Sequence, residues 1–283
     1  MSNPYFPNLW IAIPDSSLSD EQTRRDKTVK VCQFARAFSI FRVKKIYIYH
    51  DKTVNSSADL SLLKTVLRYL DTPQYLRKLL YPRTDQLEYA GILHPINAPH
   101  HRGLQRIRDV KLGDVRVGVI VKARDGGLHA DIGLSNLVSF EGSGFQGKKV
   151  NVKIVSTCPS LRGKEAAQYD IKEYWGYEVQ EVNNLSKLLE SALNTQILIT
   201  SRKGSYLKDK EPQILAGLKA FRNFLIVFGT PKKGVDEMLA LEGRSIDAYK
   251  YVHNMFPFQA TKTIRLEEAI LGSLSILNHI LSK

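Results

Sequence analysis

The apolar positions of the first 80 residues switch between two periods. Leu9-Trp10-Ile11-Ala12-Ile13 is a short unbroken apolar run stopped by Pro14-Asp15, the pattern of a strand buried on both faces. From Asp26 to Phe41 the period lengthens: Val31, Phe34, Ala35 and Phe38 recur at three- and four-residue spacings, which predicts a helix. Lys45-Ile46-Tyr47-Ile48-Tyr49 predicts a second strand, and Ala58 to Leu70 a second helix. Thr72-Pro73 breaks the pattern before a helical stretch from Gln74 to Leu80. Strand, helix, strand, helix is the order of a parallel sheet covered by helices.

From Ile96 to about Gln180 the pattern is different. Strand-like runs occur at Val115 to Lys122, Leu128 to Ile132, Lys149 to Val155 and Tyr174 to Val179, separated by turns such as Asp125-Gly126-Gly127 and Gly142-Ser143-Gly144. Short strands with glycine turns and little helix predict a small β-barrel or sandwich; the length suits a five-stranded OB-type barrel, and an SH3-like barrel fits the pattern equally. After Asn183 the alternation resumes. Leu185 to Leu193 reads as helix, Gln196 to Thr200 as strand, Glu211 to Ala220 as helix and Asn223 to Phe228 as a wholly apolar strand. A last helix carries Leu266, Ile270, Leu274, Leu277 and Leu281 on one face. The expected organisation is therefore an α/β domain over 1–95 and 181–283, interrupted by a β module over 96–180.

Composition narrows the class. No apolar run approaches the roughly 18–20 residues that span a bilayer, and the polar start of the chain shows no secretory signal. Cys32 and Cys158 are the only cysteines, too few for a disulfide framework or a cysteine-rich zinc site. A soluble protein of a reducing, cytoplasmic compartment is expected. The formal net charge of +13 points toward a polyanion. Segment 96–180 holds 13 Lys/Arg against 9 Asp/Glu, a density close to that of the rest, so charge does not choose between the two parts.

Three loops stand out as candidate ligand segments. The strand ending at Phe228 runs into Gly229-Thr230-Pro231-Lys232-Lys233-Gly234, and the preceding one into Thr200-Ser201-Arg202-Lys203-Gly204. In an open parallel sheet, ligands sit beyond the carboxyl ends of the strands, and glycine there exposes main-chain N–H and C=O groups. Gly-Thr-Pro is also an ordinary turn. The third segment, Asn254 to Arg265, is too polar for a core strand and precedes the last helix, with Thr263 in a near-capping position. Gly142-x4-Gly147-Lys148 is not a phosphate loop, because Lys149 and a β-type run follow it where Ser/Thr and a helix are required. His94, His100 and His101 lack an accompanying cysteine or a well-spaced acid, so a solvated or RNA-facing loop is expected and no metal. In the β module, Phe140, Phe145, Tyr174, Trp175 and Tyr177 accompany Arg116, Lys122, Arg124, Lys148, Lys149 and Lys153. Base-stacking aromatics beside phosphate-facing cations hold single-stranded nucleic acid, though most of these rings are expected inside the barrel.

These residues resemble the SPOUT-class RNA methyltransferases of archaea and eukaryotes that carry an OB-fold insertion. The resemblance rests on Gln33-x-Ala35-Arg36-Ala37-x-x-Ile40-Phe41, on Thr72-Pro73-Gln74-Tyr75-Leu76-Arg77-Lys78 and on His94-Pro95 through His100-His101. It continues through Tyr174-Trp175-Gly176-Tyr177 and Val227-Phe228-Gly229 to Pro257-x-Gln259-x-x-x-Thr263-Ile264-Arg265-x-Glu267-Glu268-Ala269-Ile270-Leu271. It implies a knotted parallel sheet with helices on both faces, and S-adenosyl-L-methionine bent into the knot. The cofactor residues so implied are Thr200, Arg202, Gly229, Thr230, Gly234, Asn254, Met255, Pro257, Gln259 and Ile264. Met255 departs from the small polar residue that relatives often carry there. The resemblance further implies a homodimer, an RNA substrate, ribosomal in kind, and methylation at uridine N3. Arg265, with Arg36 second, is the nominated cation for charge developing on the base, and Glu268 a candidate proton acceptor. A protein methyltransferase, or a non-catalytic RNA-binding assembly factor of the same fold, are the rival readings.

Overall fold

The unbroken apolar runs become interior strands. In chain order the elements are β1 (Asn8–Pro14), α1 (Arg24–Ile40), β2 (Val43–Tyr49), α2 (Ser57–Asp71), α3 (Gln74–Leu80), β3 (Val115–Lys122) and β4 (Leu128–Asp131). There follow β5 (Val138–Glu141), β6 (Lys149–Ser156), β7 (Arg162–Glu165), β8 (Glu178–Val182), α4 (Leu185–Ser191) and β9 (Thr195–Tyr206). The chain closes with α5 (Glu211–Ala220), β10 (Asn223–Val227), α6 (Val235–Leu241), β11 (Val252–Asn254) and α7 (Leu266–Leu281). This computed structural model describes residues 7–103, 106–122, 127–230 and 232–281. Two compact units emerge, one of residues 7–68, 86–94 and 176–281, the other of Tyr69–Asp85 and Pro95–Trp175.

The first unit is a six-stranded sheet in the order β11-β9-β10-β1-β2-β8, parallel throughout. β1 and β10 lie at its centre, with Ile11 opposite Ile226 and Ile46. On one face Ala12, Tyr47, Leu225 and Val227 pack with Leu188 and Leu189 of α4 and Met238 and Leu239 of α6. The alternate residues Ile11, Ile13, Ile46 and Ile48 point the other way and are equally buried, which explains why these strands read as continuous apolar runs. α1 starts at an N-cap, Thr23, whose hydroxyl accepts from the Asp26 N–H. α7 starts differently from expectation: its N-cap position is Arg265 and not Thr263, and the Arg265 N–H donates to the carboxylate of Glu268 three residues on.

Tyr174 to Val179 is a correction. The strand there begins at Glu178, and it joins the large sheet, pairing parallel with β2 as its edge. The aromatic run Tyr174-Trp175-Gly176-Tyr177 is apolar for packing, not for strand formation; the Tyr177 hydroxyl donates to the Leu67 carbonyl and its ring meets Phe38 edge-on. β5, β7, α6 and β11, of three to seven residues, were not predicted.

The second unit is built on a closed barrel, β3-β4-β5-β7-β6. β5 and β7 are parallel, and every other pair is antiparallel. Ile120, Ala130, Ile132, Val138, Phe140, Val152 and Ile154 fill it. Val117 and Val119 face outward and are covered by Leu76 and Tyr75 of α3, Leu80 and Trp175. With both faces covered, β3 is buried for six residues running, and Arg116 is buried with it. This corrects the reading of Arg116 as a phosphate-facing cation: its guanidinium donates to the Gly103 carbonyl, 3.1 Å away. The Tyr75 hydroxyl donates to the Val117 carbonyl, and burial pushes its pKa up to about 12, so it remains a donor.

Candidate ligand site at the carboxyl edge of the sheet

The long strand β9 supplies the first loop through a break in its ladder. Val252 pairs with Ile199, but His253 pairs with Ser205, so residues 200–204 leave the sheet between them. Thr200 is tied down at the exit, its hydroxyl donating to the Val227 carbonyl at 2.9 Å. The next carbonyl along β10, that of Phe228, accepts from the Tyr49 hydroxyl at 2.6 Å. Full burial, with Asp51 and Asp15 nearby, holds the Tyr49 pKa well above its usual value, so this phenol stays protonated and donating. Two side chains therefore fix the carbonyls that lead into Gly229.

The second loop is a tight turn. The Thr230 N–H donates to the Lys233 carbonyl, and its hydroxyl accepts from the Lys232 and Lys233 N–H groups. A Cβ on Gly229 would stand 2.6 Å from the Lys233 carbonyl oxygen, so glycine is required first by the turn's own backbone. The third loop is stapled to the first. Asn254 donates from Nδ2 to the Arg202 carbonyl and accepts from the Phe256 N–H, while Arg202 donates to the Lys262 carbonyl. Phe256 lies over Gly272 of α7, where a Cβ would come within 2.5 Å of its ring.

The three loops enclose one hollow, floored by Leu266, Ala269 and Ser273 of α7. Of the ten residues nominated for a cofactor, all but Pro257 line it. Lys203, inside the first candidate loop but not singled out, also lines it, as do Asp236 and Ser273, which were missed. Lys203 and Asp236 form an ion pair of 2.8 Å across the rim. Burial raises the Asp236 pKa, but the Lys203 bond outweighs it and leaves the carboxyl below its ordinary value; Lys203 is raised in turn by the same bond. The Ser273 hydroxyl is wholly buried against the hollow and has no hydrogen-bond partner among the described residues, a signal that exists only in three dimensions.

The nominated catalytic residues stand apart. Neither Arg265 nor Arg36 is among the lining residues. Arg265 is spent on acids: Nη2 pairs with Glu21 and lies 3.6 Å from Asp20, and Nε is 2.9 Å from Glu267. Burial lowers its pKa, but Glu267, Glu21 and Asp20 raise it further and prevail. Arg36 is half-buried on α1. The Glu268 carboxylate accepts from the Arg265 N–H, as a helix-capping group does.

A second hollow lies at the ends of β1, β2 and β8, lined by Asp15, His50, Ser56, Glu181 and Asn183 among others. It is the larger by enclosed volume, about 290 Å³ against about 190 Å³ for the first. Volume does not decide between them. The first is framed by loop backbone free of ladder pairing, whereas in the second Asp15 and Glu181 are already bonded to His50 and Lys64.

The histidines of the barrel unit are a correction. His100 is buried and His101 half-buried, so neither belongs to a solvated loop. An acid does accompany them: both Nε2 atoms stand 2.9 Å from the main-chain oxygen of Asp71, and His100 Nε2 is 3.2 Å from its carboxylate. Burial and the neighbouring His100 hold the His101 pKa down at about 4. Lys149 is half-occupied by the same Asp71, 3.1 Å away, and Lys148 donates to the Ser143 carbonyl. Lys122 is exposed. Arg124 lies outside the described residues. Of the barrel aromatics, Phe145 is exposed, Phe140 and Tyr174 are buried, and Trp175 donates to Asn151.

Comparison with known proteins decides the family. The family model described as "Putative RNA methyltransferase" matches residues 8–277. The chain belongs to that family. Among relatives, the "28S rRNA (uridine-N(3))-methyltransferase" of Homo sapiens is 31% identical over 308 residues, covering 97% of this chain and 78% of its own length. The protein of the same name in Drosophila melanogaster is 30% identical, covering 95% of this chain, which spans 61% of the fly protein. An uncharacterised protein of Halobacterium salinarum is 26% identical over 94% of this chain and 97% of its own length. The family match embraces both the sheet and the barrel.

Proposed function

We propose that this chain is an S-adenosyl-L-methionine-dependent RNA methyltransferase acting on ribosomal RNA, at uridine N3. The observation that carries the reading is the meeting of three loops, Thr200–Gly204, Gly229–Gly234 and Asn254–Ile264, in one hollow at the carboxyl edge of the parallel sheet. The residues present suit the group. Loop N–H and C=O groups can read an adenine edge, Met255, Ile264 and Leu266 give an apolar wall, and the buried Ser273 hydroxyl, without a partner among the described residues, offers one more polar contact. The bound cofactor would supply a methyl already activated on sulfonium. The chain's part is to align the uridine and help remove its N3 proton.

In this reading the sheet unit, residues 7–68, 86–94 and 176–281, is a SPOUT-type knotted domain, and the barrel unit, Tyr69–Asp85 and Pro95–Trp175, is an OB-like RNA-binding module. These bounds replace the expected division into 1–95 with 181–283 and 96–180. The strand order first-second-third-fifth-fourth, with third and fifth parallel, supports the OB assignment. Lys122, Lys148 and Lys149 with exposed Phe145 are the proposed RNA contacts. Arg265, neutralised by three acids, is assigned to holding the third loop; Arg36 is left as the nominated charge-stabilising cation. Exposed Val29 and Ile40 on α1 and Leu271 on α7 support a homodimer through those helices.

The test is calorimetry with S-adenosyl-L-methionine followed by methyl transfer to matched large-subunit rRNA. Ala269→Trp, which fills the floor of the hollow, is expected to abolish binding while circular dichroism stays native. Unchanged binding in the folded variant rejects the site. Labelled rRNA digested to nucleosides should yield N3-methyluridine; label on protein alone would move the assignment to protein methylation.

A further inference from the structure

Asp71, His100 and His101 are brought together by the barrel unit and not by their spacing in the chain. We propose that they form a divalent-metal site, and that zinc(II) is the ion their chemistry selects. One donor atom from each residue lies within 4.8 Å of the others. Closer still, each Nε2 is 2.9 Å from the Asp71 main-chain oxygen, and His100 Nε2 is 3.2 Å from Asp71 Oδ1. Bonds of 2.0–2.1 Å in a tetrahedron set neighbouring donors about 3.3 Å apart, so His100 Nε2 and Asp71 Oδ1 already stand at that spacing, and the remaining donors, all within 4.8 Å, close on one ion by drawing in by at most about 1.5 Å. Two imidazoles and one carboxylate are a zinc-type donor set, with the Asp71 main-chain oxygen or a water completing four.

The surroundings match what supports a ligating carboxylate. Lys149 Nζ is 3.1 Å from Asp71 Oδ2, which occupies one carboxylate oxygen and leaves Oδ1 facing the histidines. The Trp175 ring stands 5.9 Å from that of His100, between centroids, and Tyr174 6.4 Å, closing the site on its apolar side. His100 and Asp71 are 2% and 7% exposed, as in a site that holds structure together. The ion would pin the turn at 99–101 to the end of α2, where the chain enters the barrel unit, and its binding would be coupled to the folding of that unit. None of this depends on the methyl-donor site, so the two proposals fail separately.

The experiment uses the full chain, stripped with a chelator, dialysed against zinc chloride and analysed for metal by mass spectrometry. One zinc per chain is expected, raising the melting temperature of the barrel unit. Asp71→Asn and His101→Gln should lose the metal, and Lys149→Ala should bind it roughly 10–100-fold more weakly, the usual effect of removing an outer partner. Because buried substitutions can unfold the unit, a second measurement uses native ligands. In Trp10→Phe protein, cobalt(II) should quench Trp175 fluorescence to a one-to-one endpoint, and zinc should reverse it. Substoichiometric zinc on natively folded wild type overturns the site, as does an absent cobalt quench. So does full zinc retention by the folded Asp71 or His101 variants, and the cluster is then a hydrogen-bonded clasp around the Asp71 carbonyl.

Discussion

Replacing Lys30 with methionine should destabilise the sheet unit more than any change at the hollow's own rim. Lys30 is 1% exposed and stands 2.5 Å from Asp20, 3.0 Å from Glu267 and 3.9 Å from Glu21. The Asp20 contact is a directed hydrogen bond to both carboxylate oxygens. That with Glu267 is a charge contact, since Glu267 Oε2 has no directed hydrogen bond among the described residues. Arg265 touches the same three acids. Two cations thus face three carboxylates where the segment after β1, α1 and the start of α7 meet. Removing the buried cation leaves three acids facing one guanidinium that is 48% exposed. Removing one partner of a buried pair costs about 3–5 kcal/mol, and the low end applies here because the acids keep Arg265 and some solvent.

The chain has two tryptophans, Trp10 in β1 and Trp175 in the barrel unit, so a Trp175→Phe background reports the sheet unit alone by fluorescence. At a urea slope of about 3 kcal/mol per molar, a loss of about 3 kcal/mol lowers the midpoint by about 1 M. Arg265→Met, at a half-exposed position, should cost only about 0.5–1 kcal/mol. A cost under about 1 kcal/mol for Lys30→Met, or an equal cost for Arg265→Met, would refute the buried-cation account. Loosening this cluster also frees the third loop, so methyl-donor affinity should fall in both variants.

Tyr49→Phe should cost about 1–2 kcal/mol, because the buried Phe228 carbonyl loses its donor; urea unfolding measures it, and methyl-donor affinity should drop with it. Arg116→Met should lower the melting temperature of the barrel unit yet leave the salt slope of RNA binding unchanged, since the guanidinium is buried; a shallower slope would restore it as a phosphate contact. The Lys203–Asp236 pair gives a pH window. Asp236 is held below its ordinary 3.8, so its contribution is complete above that pH and is lost as pH falls through the lowered value. Lys203 is held above its ordinary 10.5, so its share is complete below that pH and lost in stronger alkali. The difference in donor affinity between wild type and Asp236→Asn should therefore be flat from about pH 4 to pH 10, and a midpoint inside that range would contradict the pairing.

What the sequence revealed depended on how far apart the interacting residues lie. The interior strands and long helices were legible because burial of both faces, or of one stripe, writes a period over seven to seventeen residues. Two of the three loops were legible because each follows an apolar strand and opens with glycine or a polar run, and the third because a polar stretch stands directly before the last helix. β8 was misplaced because Tyr174, Trp175 and Tyr177 look like strand residues, while the strand that pairs with β2 reads Glu-Val-Gln-Glu-Val, with its exposed face at the sheet edge. Arg116 was misread for the opposite reason: it alternates with the outward Val117 and Val119 and pairs with Val152, so it lies on the barrel-side face of β3, where its guanidinium meets the Gly103 carbonyl instead of solvent.

The Asp71 cluster marks the limit of spacing arguments. A metal motif is recognised in sequence when its ligands fall within one helix turn or one hairpin, because local geometry then sets their convergence. Here adjacent histidines meet an acid 29 residues upstream, and no period connects them. The same holds for the network around Lys30, where Asp20 is 10 residues away in the chain but Glu267 is separated from it by nearly the whole protein. In both places a segment that reads as loop is fixed by charges from elsewhere. The hollow at the sheet edge depends on that second network for its third wall, so the residues that hold the wall in place are not those that face the ligand. Motif position alone brings Arg265 to the neighbourhood of the hollow, whereas the three acids its guanidinium pairs with are visible only in the fold.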